Sequence, residues 1–243
     1  MRVDAFDFDL PEERIALHAV EPRDAARLLV AAPEGALRDR AVRDLADELR
    51  SGDLLVFNDT RVLPVQLESL REREGTPPLA ISATLVRRDE PDRWSAFVKP
   101  GRRVKTGDVL RFGDKDALFA EVLGKEDGGL VALRFDRSGS ALDAAIAAIG
   151  APPLPPYIAQ RRAFEENDRS RYQTVYAARD GSVAAPTAGL HFTPELLQRL
   201  EAKGIARATV TLHVGLGTFL PVKVEDTDDH VMHAEWGEVS AQT

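Results

Sequence analysis

The chain contains no cysteine. That excludes a disulfide framework, a thiol nucleophile and any zinc site built on thiolates. No apolar run approaches the roughly 20 residues needed to cross a bilayer as a helix. The opening stretch, MRVDAFDFDLPEER, is acidic and has no apolar signal core, so a cytoplasmic protein is expected. No G-x-G-x-x-G turn follows a strand pattern, and no Walker A loop or G-x-S-x-G elbow occurs. Rossmann-type methyl transfer, nucleotide hydrolysis and serine-nucleophile chemistry therefore have no motif to rest on. A cationic excess is lacking too. The net charge of −8 argues against nucleic-acid binding through bulk charge, although a local basic face can still neutralise phosphates. What is present is a soluble globular composition, 44% hydrophobic and 30% charged over 243 residues, enough for one or two domains with a real core.

One stretch organises the rest. Val183-Ala184-Ala185 reads as a short buried strand, after which Pro186 and Gly189 break any period. Thr193-Pro194 reads as N-cap and first residue of a helix running over Glu195–Lys203 and closed by Gly204. His191 is thereby held just before a helix N-terminus, where unpaired amides attract anions; Glu195 in the first turn already occupies part of that field. A plain β-to-α connection fits the same residues. Further on, Val210, Leu212 and Val214 alternate with Thr209, Thr211 and His213. This predicts a half-buried strand that ends in a glycine-rich loop, with His213 on its polar face.

Residues 41–50 predict an amphipathic helix with Val42, Leu45 and Leu49 on one side. Leu54-Leu55-Val56-Phe57 predicts a buried strand that delivers Asn58, Asp59, Thr60 and Arg61 at its end, where α/β proteins place ligand groups; an Asx-turn at Asn58 or Asp59 is the structural alternative. From 62 to 152 the texture becomes that of a small antiparallel sheet or barrel, with strands over 79–86, 94–98, 109–112, 118–123 and 130–135. Gly-Asp-x-Leu-x-Phe occurs at 52–57 and 107–112, a shared turn-plus-strand solution. Lys99, Arg102, Arg103, Lys105, Arg111 and Lys115 crowd one turn region, either a solvated loop or a phosphate-contact surface. A helix over 140–149, with Ser140 as N-cap, leads into the stiff segment PPLPPYI. Residues 168–176 predict a helix carrying Tyr172, Gln173 and Tyr176, suited to stacking on a base or to core packing. His230 and His233 lie three apart beside carboxylates, but zinc needs three or four ligands and no further His or Cys is near; no metal is expected. The expected fold is an α/β main domain, discontinuous over 1–61 and 153–243, with an inserted small antiparallel β-barrel domain over 62–152.

Several segments are long and unusual: GDLLVFNDTRVLP at 52–64, PPLPPYI at 152–158, RYQTVYA at 171–177, AAPTAGLHFT at 184–193, VTLHVGLGTFLPV at 210–222 and HVMHAEW at 230–236. Through them the chain closely resembles the S-adenosylmethionine:tRNA ribosyltransferase-isomerase family of queuosine biosynthesis, from its first residue to near its last. The family's chains continue with a further α/β segment bearing a Thr-Thr-Ser-like motif, so a short relative or a fragment is expected here. The resemblance implies S-adenosylmethionine as ribosyl donor and co-substrate, with no metal. It implies as acceptor a tRNA carrying 7-aminomethyl-7-deazaguanine at the wobble position, and as products epoxyqueuosine, adenine and methionine. A monomer without membrane association is expected. His191, His213 and Asp59 are the expected catalytic residues. Arg23, in an EPRDAxRLL pattern typical of the family, joins Asn58, Thr60, Arg61, Tyr172, Gln173, Thr187, Gly189, Gly215, Gly217 and His233 as the expected substrate-binding set. Lys99, Arg102, Arg103 and Lys105 are the expected tRNA contacts. A non-catalytic relative that binds tRNA or a nucleoside is the alternative, and a purely structural module a third reading.

Overall fold

The computed structural model describes residues 1–33, 35–73, 75–114, 116–219 and 221–243. Lys115 of the basic turn lies outside the described residues. The chain divides into two units, Met1–Val62 with Leu154–Thr243 and Leu63–Pro153, and each is taken by itself.

The first unit begins with 3₁₀ turns at Val3–Phe6, Glu12–Arg14 and Arg23–Ala25, then an antiparallel ribbon of β1 (Arg27–Val30) and β2 (Arg38–Ala41). The helix predicted over 41–50 shrinks to a 3₁₀ turn at Val42–Asp44 and one turn of α-helix, α1 (Leu45–Glu48). Asp53 ends it early by taking the Arg50 amide at 2.7 Å, so that donor finds a partner outside a helical ladder. At the other end Asp44 takes the Ala41 amide at 2.9 Å, as the acidic side chain does in a capping box. Gly52, at φ +92°, then turns the chain into β3 (Leu54–Asn58), and β4 (Thr60–Val62) follows after the single residue Asp59.

The second unit is a closed six-stranded antiparallel barrel. Its strands are β5 (Gln66–Arg73), β6 (Thr76–Glu90), β7 (Arg93–Lys99), β8 (Val109–Phe112), β9 (Leu118–Lys125) and β10 (Val131–Phe135), in the order β10-β7-β6-β5-β8-β9. Closure between β9 and β10 leaves no open edge. Alternation puts Leu67, Ile81, Leu85, Leu110, Phe112, Leu118 and Leu133 inside, all fully buried. The sequence pattern predicts no strand at β5, because Gln66-Leu67-Glu68-Ser69-Leu70-Arg71 mixes charge into the alternation; its buried Arg71 survives by donating to the Arg103 carbonyl. Gly107, at φ +85°, enters β8 as Gly52 enters β3, so the repeated hexapeptide is one local turn solution used twice. Helix α2 (Gly139–Ile149) follows; Ser138, not Ser140, is its N-cap.

The first unit resumes with three elements of one to two turns or strand length: α3 (Pro156–Ala159), α4 (Asp168–Arg171) and β11 (Arg179–Ser182). Next come α5 (Pro194–Ala202), β12 (Ala206–His213) and β13 (Trp236–Glu238). PPLPPYI is extended only as far as Pro155 before α3 begins. The helix predicted through Tyr176 ends at Arg171, since Tyr172 leaves the helical region at φ −92°, ψ 26°. The strand predicted at 183–185 lies just upstream, over 179–182. α5 forms as its signals require: the Thr193 hydroxyl accepts the Leu196 amide at 3.1 Å, worth about 1 kcal/mol.

β12 pairs in parallel with β3 and antiparallel with β13, while β11 pairs in parallel with β4. α5 packs on one face of the β3–β12 pair, where Leu55 joins Val42, Ala46, Leu196, Leu200 and Ile205. The clean two-faced pattern expected for β12 is kept only in part, with Val210 half-buried and Thr209 exposed but Leu212 exposed as well. Its register with β3 puts Thr209, Thr211 and His213 on the side of Leu55 and Phe57, where Thr209 is exposed and Thr211 and His213 are half-buried. Leu212 lies on the other side with Leu54 and Val56, which are 55% and 56% exposed. The buried strand predicted at 54–57 is thus buried on one face only, among the described residues.

Candidate active site

Asp59 is the joint of the first unit. Its amide donates to the Val210 carbonyl at 3.0 Å, and its carbonyl accepts the amides of Ala178 and Arg179 at 2.8 and 3.1 Å. One residue therefore ties β3 to β12 and the start of β11, and the polar groups on either side of it are brought to the end of β12. Its carboxylate accepts the Thr211 hydroxyl at 2.7 Å. Asn58 extends the ladder with its side chain: Nδ2 donates to the Leu212 carbonyl at 2.8 Å, and Oδ1 accepts the amides of Leu212 and Thr60 at 3.0 and 3.1 Å. That is the Asx-turn, and it engages both the oxygen and the nitrogen of the Asn58 amide. Thr60 is completely buried, and its hydroxyl lies 2.7 Å from His213 Nδ1.

His213 ends β12 opposite Trp236, whose indole stacks over the imidazole at 5.3 Å between centroids and 13° between planes. A third neighbour of the ring is Gly181, at φ +150°, where a Cβ would stand 2.5 Å from His213 Cε1. Beyond β12, the Gly215 amide donates to Glu235 at 3.0 Å. Glu235 lines a cavity of about 510 Å³ with Gly217, Thr218, Lys223, His230 and His233. Gly217 is itself in contact with the His233 ring: a Cβ there would lie 2.9 Å from its Cδ2. Arg61 is exposed; it donates to the Ala177 carbonyl at 2.7 Å and pairs with Asp180 at 3.5 Å.

The remaining expected residues stand apart from that cluster in their bonding. His191 closes a 3₁₀ turn at Thr187–His191; it is exposed, with Nδ1 3.2 Å from the Ala188 carbonyl. Among the described residues no hydrogen bond joins it to His213, Asp59 or Arg61. Thr187 is exposed at the start of the same turn. Gly189 is buried there because of protein, not ligand: a Cβ would sit 2.3 Å from the Tyr176 hydroxyl and 2.9 Å from Thr174 Cγ2. Arg23 is spent on backbone carbonyls, reaching Gln173 and Ser170 at 2.6 Å each, and its burial lowers the guanidinium pKa. It staples segments together and has little left for an anion. Gln173 is likewise engaged: its amide donates to the Val62 carbonyl at 2.7 Å and accepts the Val62 amide at 3.0 Å, closing the edge of β4. Tyr172 is buried with Val62 and Ala185, and burial pushes its phenol up to about 12. The nearby Ala185 amide tempers that shift, but no group completes a hydrogen bond to the hydroxyl.

In the barrel, Lys99, Arg102, Arg103 and Lys105 are exposed around the 3₁₀ turn Gly101–Arg103, and among the described residues none of the four is ion-paired. Arg111 differs, because Glu72 and Asp114 neutralise it. No group of three or more His, Cys, Asp or Glu among the described residues is arranged to hold a metal ion, and no helix is long and apolar enough to cross a membrane. Sequence reasoning missed Gly181 and Trp236. Neither carries chemistry of its own, and a Gly-Ser pair or a lone Trp gives no local signal of contact with a histidine dozens of residues away.

Residues 3–243 match the family described as Queuosine biosynthesis protein. The S-adenosylmethionine:tRNA ribosyltransferase-isomerase of Rhizobium rhizogenes is 60% identical over 251 residues, covering 100% of this chain and 70% of the relative. That of Caulobacter vibrioides is 57% identical over 254 residues, covering 100% of this chain and 69% of the relative. The solved structure of S-adenosylmethionine tRNA ribosyltransferase from Thermotoga maritima is 34% identical, covering 87% of this chain and 58% of its own, with a TM-score of 0.34. The chain thus spans about 70% of these curated relatives and 58% of the solved one. It belongs to the queuosine-biosynthesis family of S-adenosylmethionine:tRNA ribosyltransferase-isomerases.

Proposed function

We propose that this chain transfers the ribosyl moiety of S-adenosylmethionine onto 7-aminomethyl-7-deazaguanine at the wobble position of tRNA, giving epoxyqueuosine and releasing adenine and methionine. The observation that carries this reading is the meeting of Thr60 and His213 at 2.7 Å, beside the Asp59 joint. Two polar strand ends far apart in sequence converge there on an imidazole, in a chain 60% identical to an enzyme of that name. The reaction needs a base for a proton beside the sulfonium, whose positive sulfur acidifies the adjacent carbon, and a donor for the departing adenine. Imidazole, which can accept at one ring nitrogen and donate from the other, suits both tasks. At His191 the Ala188 carbonyl can only accept, so Nδ1 carries the proton and Nε2 keeps a lone pair in solvent. That suits the base. Asp59 orients Thr211 within the same joint, and the exposed Arg61 is assigned to positioning ligand.

The cavity beside Gly217 and His233 is of ligand size, and its lining matches the charges of S-adenosylmethionine: Lys223 for the carboxylate, Glu235 for the sulfonium or ammonium. The four cations around 99–105, unpaired among the described residues, would supply phosphate contacts to a chain of net charge −8. Incubation of the purified chain with S-adenosylmethionine and precursor tRNA tests the reading through adenine release, which His213→Gln and His191→Gln should each reduce by two orders of magnitude or more. A tRNA gel shift without adenine release would make the chain a binder only.

A further inference from the structure

His213 is held on three sides. Gly181 lies against one part of the ring so closely that any Cβ would overlap Cε1, Nδ1 and Nε2; the Trp236 indole stacks over a face of it; and the Thr60 hydroxyl sits 2.7 Å from Nδ1. Gly181, at φ +150°, is also in backbone territory that side chains disfavour. The hydroxyl is the informative member. Thr60 has no solvent exposure, and among the described residues its Oγ1 has His213 Nδ1 as its hydrogen-bond partner. A buried hydroxyl that accepted from Nδ1–H would leave its own proton without an acceptor. One that donates to Nδ1 loses only lone pairs, which is the cheaper omission. The bond therefore runs from Thr60 O–H to Nδ1, and the ring proton resides on Nε2.

We propose that Thr60 is a positioning residue that locks neutral His213 in its Nε2–H tautomer, so that His213 serves as the hydrogen-bond donor of the site, with Gly181 and Trp236 setting the ring plane. This rests on the reaction proposed above for its catalytic consequence, but not for its structural content. It divides the two histidines by their Nδ1 partners. A carbonyl faces Nδ1 of His191 and leaves Nε2 an acceptor; a hydroxyl faces Nδ1 of His213 and leaves Nε2 a donor. In the reaction, His213 Nε2–H donates a hydrogen bond to a ring nitrogen of adenine as the glycosidic C–N bond breaks, spreading the charge that develops on the leaving base. The departing adenine takes its proton from water and His213 stays neutral throughout, so no charge falls on the buried Thr60 hydroxyl.

The test reads the tautomer directly. Long-range ¹H–¹⁵N spectra of the uniformly labelled chain contain five histidines, and His213→Gln assigns the signals of His213 by their loss. The expected result is a single Nε2–H pattern in the wild type at a pH where the ring is neutral, averaging toward mixed tautomers in the isosteric Thr60→Val and restored in Thr60→Ser. An Nδ1–H pattern in the wild type, or an unchanged pattern in folded Thr60→Val, overturns the proposal; the wild-type spectrum decides even if Thr60→Val does not fold. In the adenine-release assay, Thr60→Val should lower kcat at least tenfold with the KM for S-adenosylmethionine within twofold, and Thr60→Ser should recover most of it. A KM rise at constant kcat would make Thr60 a substrate contact and sink the positioning role. A wild type that releases no adenine strikes the proposed reaction alone, because the spectra still report the tautomer.

Discussion

Arg162 and Asp168 form a two-pronged ion pair, Nη1 donating to Oδ2 at 2.7 Å and Nη2 to Oδ1 at 2.8 Å, with the Asp168 side chain 4% exposed. Asp168 also accepts the Glu165 amide at 2.8 Å, and Arg162 reaches the Leu17 carbonyl at 2.7 Å. The pair therefore fixes the turn ahead of α4 and ties it to the N-terminal segment. Its hydrogen bond from Arg162 holds the Asp168 carboxyl below the usual carboxylate range, against the opposing effect of burial. A depressed carboxyl contributes stability above its unfolded pKa of about 3.9 and loses it as pH falls through the folded value. The first unit should accordingly lose stability below about pH 4, and Asp168→Asn should cost about 2–3 kcal/mol at pH 7 while flattening that acid limb. Urea denaturation from pH 3 to 7 measures both.

Tyr172→Phe separates core packing from ligand contact. The hydroxyl is buried with no hydrogen-bond partner, and burial pushes it up to about 12. Removing an unsatisfied buried group costs little or is gained back, so the variant should match or exceed wild-type stability by up to about 1 kcal/mol. Equal adenine release would assign Tyr172 to the core. A tenfold loss without destabilisation would assign its hydroxyl to substrate.

Gly189→Ala should destabilise the 187–191 turn, because the new methyl overlaps the Tyr176 hydroxyl. The expected cost is about 1–3 kcal/mol. Since the closest atom is that hydroxyl, the double variant with Tyr176→Phe should recover part of the loss, leaving the Thr174 overlap. Additive losses in a double-mutant cycle would place the strain elsewhere.

Arg102, Arg103 and Lys105, changed together to Ala, should weaken tRNA binding and reduce its salt dependence. Removing one phosphate-neutralising cation flattens the slope of log K against log salt by about 0.7–0.9. All three are exposed and free of carboxylate partners among the described residues, so fold stability should move by less than about 0.5 kcal/mol each. Affinity for S-adenosylmethionine should be unchanged. An unaltered salt slope would reduce the turn to a solvated loop.

Local chemistry was legible wherever it was decided locally. Thr193-Pro194 and Gly204 bound α5 because a cap and a positive-φ glycine act within one turn. Most of the barrel strands follow from alternation, since a closed barrel has one inside and every second side chain must fill it. The family, too, could be read from six unbroken segments. Tertiary structure decided the rest. β5 carries charges that only a partner such as the Arg103 carbonyl makes tolerable. Arg23, Asn58 and Gln173 look like ligand groups by type, but backbone carbonyls and amides from distant segments claim them. β12 holds the polar Thr211 and His213 half-buried because Asp59 accepts the Thr211 hydroxyl and the Thr60 hydroxyl meets the imidazole. His213 became a candidate by its motif, yet its orientation rests on Thr60, Gly181 and Trp236, three residues that no period or spacing connects. Alternation and capping are properties of neighbours along the chain; which buried hydroxyl faces which imidazole is a property of the packed fold alone.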